Sequence, residues 1–68
     1  MELRINGKTV VVPLAEGCSV DRLLEHLELD SKSMVVELNR RILTAAELPE
    51  TALNECDVLE LIQFVGGG

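Results

Sequence analysis

Leu3 and Ile5 alternate with polar Glu2 and Arg4, a period-two pattern that predicts a half-buried strand. Asn6-Gly7 follows, and both residues tolerate the positive φ of a type I′ turn. The next run, KTVVVPL, is rich in β-branched residues and ends at Pro13, which has no amide hydrogen to give a ladder. The chain therefore opens with an antiparallel hairpin, residues 2–6 against 8–12.

The apolar period then lengthens. In EGCSVDRLLEHLELD, Val20, Leu23, Leu24 and Leu27 fall at i, i+3, i+4 and i+7, one stripe of a helix, while Arg22, Glu25, His26 and Glu28 take the wet face. Ser19 is a natural N-cap, and Asp21 in the first turn suits the helix dipole. Cys18, just before the cap, is placed to pack on Leu23 as a hydrophobic staple. SMVVELN predicts a third strand, Asn39-Arg40 a turn, and RIL a short fourth strand. TAAELPETALNEC contains Pro49 and shows no clear period, which predicts a loop with at most one helical turn. DVLELIQFV, residues 57–65, predicts the last strand.

The order β-β-α-β-β-β, with one helix to cover a sheet, predicts two layers. The fold class is α+β: a mixed sheet of four to five strands packed on one helix, with the last strand returning parallel to the first. That is the β-grasp, or ubiquitin-like, architecture. On the last strand, Leu59 and Leu61 should face the helix, leaving Ile62 and Phe64 on the open face just before the end of the chain. A central strand covered on both faces is the competing expectation, because the run is nearly all apolar. One helix in so short a chain covers one face, so Ile62, Phe64 and Val65 are candidates for a partner-docking surface.

Composition narrows the setting. The chain has 68 residues, 47% apolar but with Phe64 as its one aromatic, so the core must come from Leu, Ile and Val. Twelve acidic residues against six basic give a net charge of −6, and only Arg40-Arg41 form a basic pair. Nucleic acid and anionic membranes are therefore poor partners, whereas a basic protein surface suits the charge; solubility alone also accounts for it. No apolar run approaches a membrane span, the N-terminus lacks a signal-peptide layout, and two cysteines are too few for a disulfide scaffold. A cytoplasmic protein with reduced thiols, monomeric when isolated, is expected. His26 has no Cys or second His at ligand spacing and no nucleophile beside it, so neither a metal site nor a catalytic residue is expected.

The strongest chemical feature is the ending, VGGG. With Gly near 7% of residues, a chance triplet would close about one chain in 3,000. A frayed end or a cloning scar are the bland readings. The chemical one is a tail, 66–68, beyond a domain of residues 1–65. Without β-carbons it is thin and flexible, and at about 3.3–3.6 Å per residue it reaches roughly 10 Å. Such a tail threads a slot too narrow for side chains and delivers the Gly68 α-carboxylate to a buried site. A carboxylate becomes an electrophile only when an oxygen is made a leaving group, as adenylation by ATP does. No Gly-rich loop follows a strand, and Lys8 and Lys32 lack a P-loop context, so the activating machinery belongs to another protein.

These segments together resemble the ThiS family of sulfur carriers for thiamin biosynthesis, over essentially the whole chain. The resemblance rests on the RING hairpin, GCSVDRLLEHL entering the helix, VVELNRRIL in the middle strands and, above all, DVLELIQFVGGG. It implies a carrier and not an enzyme, with no bound cofactor. An E1-like adenylyltransferase (ThiF-like) uses ATP to adenylate Gly68. Sulfur relayed from a source such as a cysteine desulfurase then makes the thiocarboxylate, and a ThiG-like thiazole synthase takes the sulfur. Gly67 and Gly68 match the family's terminal pair, and Gly66 the extra glycine of many members. Two features depart from the pattern: Cys56 stands where the family usually has Gly before Asp57, and Ala45 and Leu48 occupy a loop that often carries Pro-Arg and Trp. If the turn at 56 needs positive φ, Cys56 is strained. A sulfur-relay role for its thiol is the weaker reading, since no Lys, Arg or His adjoins it to lower its pKa. Alternatives are the small subunit of molybdopterin synthase, a ubiquitin-like protein modifier forming isopeptide bonds through Gly68, and a non-conjugating interaction domain.

Overall fold

The computed structural model describes residues 1–64; Val65 and the glycines at 66–68, including the expected boundary at 65/66, lie outside the described residues. Asn6 and Gly7 both take positive φ, 50° and 81°, as a type I′ turn requires. The turn joins strands β1 (Glu2–Ile5) and β2 (Lys8–Val11), registered Leu3 to Val10 and Arg4 to Thr9. Met1 and Val12 extend the pairing by one residue, through Val12 N–H to the Met1 carbonyl at 2.9 Å.

Helix α1 runs over Val20–His26, shorter than the sequence pattern drawn through Asp30. Its start is capped as expected: Ser19 Oγ accepts from the Arg22 amide at 3.0 Å. Two more first-turn amides, those of Val20 and Asp21, donate to the carbonyls of Thr51 and Leu48 at 2.9 and 3.0 Å, so the later loop completes the cap. Its end is set by Glu28, whose φ of 59° turns the chain out of the helix. The Leu29 amide then reaches back to the Leu24 carbonyl and the Glu28 amide to Glu25, a Schellman closure with Glu in the place glycine usually takes. Leu27 is thus a half-buried cap, while Val20, Leu23 and Leu24 carry the buried stripe. Cys18 packs partly buried against the core cluster, of which Leu23 is a member.

Strands β3 (Met34–Leu38), β4 (Arg41–Leu43) and β5 (Val58–Gln63) complete a five-stranded sheet of order β2-β1-β5-β3-β4. β5 lies at the centre, parallel to β1 and antiparallel to β3. One helix on a mixed sheet with its first and last strands side by side is the β-grasp arrangement. The core joins Leu3, Val36, Leu43, Leu59 and Leu61 from the sheet to the helix stripe. Each fully buried Leu or Val contributes about 1.5–3 kcal/mol relative to exposure. Leu48 and Leu53 also belong to it, although the segment that carries them has only a short 3₁₀ turn, Ala45–Glu47. Backbone bonds between Leu53 and residues Gly17 and Cys18, each 2.8 Å, tie that segment to the helix entrance.

Candidate functional site

The site is built on β5, because this strand leads to the tail. Alternation places Leu59 and Leu61 in the core and Val58, Glu60, Ile62 and Phe64 on the opposite side. Ile62 is 55% exposed and Phe64 46%, so the strand is covered on one face only. The other exposed large hydrophobic side chains among the described residues are Val11, Ile42 and Val58. Their strand positions put them on that same open face: Val11 pairs with Glu2, Ile42 with Glu37 and Val58 with Arg4. The sheet therefore has a leucine-and-valine interior and an open face on which apolar residues recur among charged ones. Val65, Gly66, Gly67 and Gly68, the remaining expected site residues, lie outside the described residues.

The carboxyl half of β5 is held from both sides. Toward β3 the ladder continues past the strand end, with the Phe64 amide donating to the Ser33 carbonyl at 3.0 Å. Toward β1 the backbone pairing stops at Ile5 and Leu59, because the chain turns away at Asn6. The Asn6 side chain takes over there, its Nδ2 donating to the Leu61 carbonyl at 3.1 Å and its Oδ1 accepting from the Leu61 amide at 2.8 Å. An amide side chain presents the same donor and acceptor as a peptide group, so Asn6 stands in for one more residue of β1. The sequence marks Asn6 only as a turn former.

The amino-terminal end of β5 is fixed by a second side-chain knot. Asp57 accepts from the Asn54 amide at 2.7 Å and from Asn39 Nδ2 at 3.0 Å, while Asn39 Oδ1 accepts from the Val58 amide at 3.0 Å. Cys56, within this knot, has φ of 68°, so the strained alternative holds for the turn at 56. Its amide bonds the Glu2 carbonyl at 2.8 Å, which holds the conformation in place. The thiol is exposed and precedes the six-residue strand whose far end leads to the tail, a span of about 20 Å.

Charges on the open face are unevenly matched. Glu37 and Glu60 stand directly opposite one another on β3 and β5. The ion pairs among the described residues are Arg22–Glu25 and Arg41–Glu47, so neither of these two glutamates has a basic group within 4.0 Å. On the edge after β4, the Thr44 amide and hydroxyl, and beyond them Arg41, hold the Glu47 carboxyl below its ordinary range. Among the described residues, no group of three or more His, Cys, Asp or Glu side chains could hold a metal ion, and no helix is long and apolar enough to cross a membrane.

Comparison with known proteins agrees with this geometry. The ThiS family model matches residues 3–68. The chain is 36% identical over 66 residues to the sulfur carrier protein ThiS of Bacillus subtilis (strain 168), covering 97% of this chain and 98% of that one. It is 35% identical over 68 residues to a thiazole synthase of Paramagnetospirillum magneticum (strain ATCC 700264 / AMB-1), covering the whole chain but 20% of that protein. The crystal structure of the thiamine biosynthesis protein ThiS from Geobacter metallireducens superimposes with a TM-score of 0.85 at 35% identity, each chain covered in full.

Proposed function

The chain belongs to the ThiS family, and from that membership we propose that it is a sulfur carrier of thiamin biosynthesis whose working group is the Gly68 α-carboxylate. The observation that carries this reading is the family match running through the glycines to residue 68, which follow the central strand of the sheet in sequence. A Gly68 carboxylate oxygen attacks the α-phosphorus of ATP on an E1-like adenylyltransferase and pyrophosphate leaves. The terminal sulfur of a persulfide on a donor such as a cysteine desulfurase then attacks the activated carbonyl carbon, and AMP departs with the electron pair of the broken C–O bond. A thiol reductant attacks the donor's sulfur in the resulting acyl disulfide, and the thiocarboxylate leaves with the electron pair of the S–S bond. The thiocarboxylate is the delivered form. The carrier itself supplies reach, a bare backbone and a docking surface; the partner supplies the ATP site.

Thiazole synthase is the proposed acceptor, because a stretch matching this entire chain forms a fifth of the Paramagnetospirillum magneticum enzyme. Docking uses the open face, where Ile62 and Phe64 stand exposed and Val65 follows in sequence. Exchange of labelled pyrophosphate into ATP by a ThiF-like activating enzyme tests the first step. Exchange should require this protein and should end when Gly68 is deleted. A deletion variant supporting exchange and sulfur uptake at the full rate would overturn the reading.

A further inference from the structure

Two carboxylates face each other across β3 and β5, and among the described residues no basic group lies within 4.0 Å of either. Glu37 and Glu60 are registered partners, a position where like charges destabilise a sheet. They also flank a shallow depression of about 280 Å³ on the open face, lined by Glu37, Asn39, Arg40, Val58 and Glu60. The exposed side chains of Val58, Ile42 and Ile62 stand around it, Ile42 paired with Glu37 and Ile62 one step along the face from Glu60. The depression sets two carboxylates against the one guanidinium of Arg40, a net negative seat beside an apolar rim, and is complementary to a positive side chain carried on an apolar surface.

We propose that the open face receives the thiazole synthase through a Lys or Arg side chain of that enzyme, which enters between Glu37 and Glu60 while apolar side chains around it cover Ile42, Val58 and Ile62. The inference rests on the sulfur-carrier reading and adds to it the chemistry of the partner surface. The stretch matching this chain within a thiazole synthase supports that enzyme, over any other protein, as the occupant. Among the described residues neither glutamate is ion-paired, so their repulsion costs the free protein some stability, and relief of that repulsion in the complex contributes to association.

That division gives a test with two opposed readouts. Glu37→Gln and Glu60→Gln keep side-chain shape and remove charge. Each variant and the wild type are titrated against the thiazole synthase of the same genome at low and high salt, and melted alone. Each substitution should weaken binding about tenfold at low salt and flatten its salt dependence, while the isolated variant melts at or above the wild-type temperature. Unchanged binding would overturn the proposal. Weakened binding with a lower melting temperature would also overturn it, by assigning the glutamates to the fold. Sulfur loading of the wild type by the activating enzyme, followed by mass, separates the two levels. Loading with unaffected variants sinks this inference alone, whereas failure to load sinks the carrier reading and the inference with it.

Discussion

The side chain of Asn6 forms two hydrogen bonds with the backbone of Leu61, fifty-five residues away, in the position where a further β1 residue would pair with β5. The same residue has φ of 50°, so one asparagine both turns the hairpin and fastens the strand that leads to the tail. Asn6→Gly retains the turn and removes only the fastening. Urea denaturation should show a loss of about 1–2 kcal/mol, and Asn6→Ala, which adds backbone strain, a loss of about 2–3 kcal/mol. Hydrogen exchange at the Leu61 amide should quicken in both. A glycine variant as stable as wild type would deny the clamp.

Cys56 is held in a left-handed conformation and its thiol is exposed. Cys56→Gly should therefore raise stability by about 1 kcal/mol, relief of strain outweighing the greater freedom of the unfolded chain. The variant should also take up sulfur at the wild-type rate, since Cys56 precedes β5 in sequence and Gly68 follows it. Loss of uptake with the fold intact would return Cys56 to the chemistry.

Glu47 gives the stability a pH dependence of known sign. The Thr44 amide, at 2.8 Å from Oε1, lowers its folded pKa below the ordinary 4.5. A depressed carboxylate pKa adds stability that is complete above the ordinary value and is lost as the pH falls through the folded one. Melting curves of wild type and Glu47→Gln should therefore differ near neutrality and converge as the pH drops below 4.5. A gap that stays constant through this range would contradict the assignment.

The strands and the open face were legible in the sequence because both rest on local periodicity. Leu59 and Leu61 against Ile62 and Phe64 is simple alternation, and the I′ turn is written in Asn6-Gly7. The apolar spacing predicts too long a helix because LEHLELD keeps it after Glu28 has already left the helix. Glu carries no sequence mark for a left-handed cap, unlike Gly. Leu48 and Leu53 were invisible as core for a related reason: they are buried by a non-periodic segment pinned to the helix entrance by backbone bonds. Asn6–Leu61 and Asn39–Asp57 join residues far apart in the chain, and a single sequence carries no trace of such pairs. Cys56 is the intermediate case, where a familiar glycine position pointed to strain and the backbone angle realises it.

Phe64 and Ile62 are the last exposed apolar residues of the open face before residue 65 in sequence. Phe64→Ala and Ile62→Ala should each weaken association with the thiazole synthase or the activating enzyme by about 1–3 kcal/mol in titration calorimetry. Their melting temperatures should stay near that of the wild type, because neither side chain is buried. Unfolding of the isolated Phe64→Ala protein would place Phe64 in the core and remove it from the docking surface.

Intact mass spectrometry of the carrier after incubation with ATP, a sulfur donor and the activating enzyme tests the central claim most directly. The account predicts a mass increase equal to exchanging one oxygen for sulfur, located by fragmentation on Gly68 and absent when ATP is withheld. An unchanged mass with an active enzyme, or sulfur found on Cys18 or Cys56 instead, would contradict it.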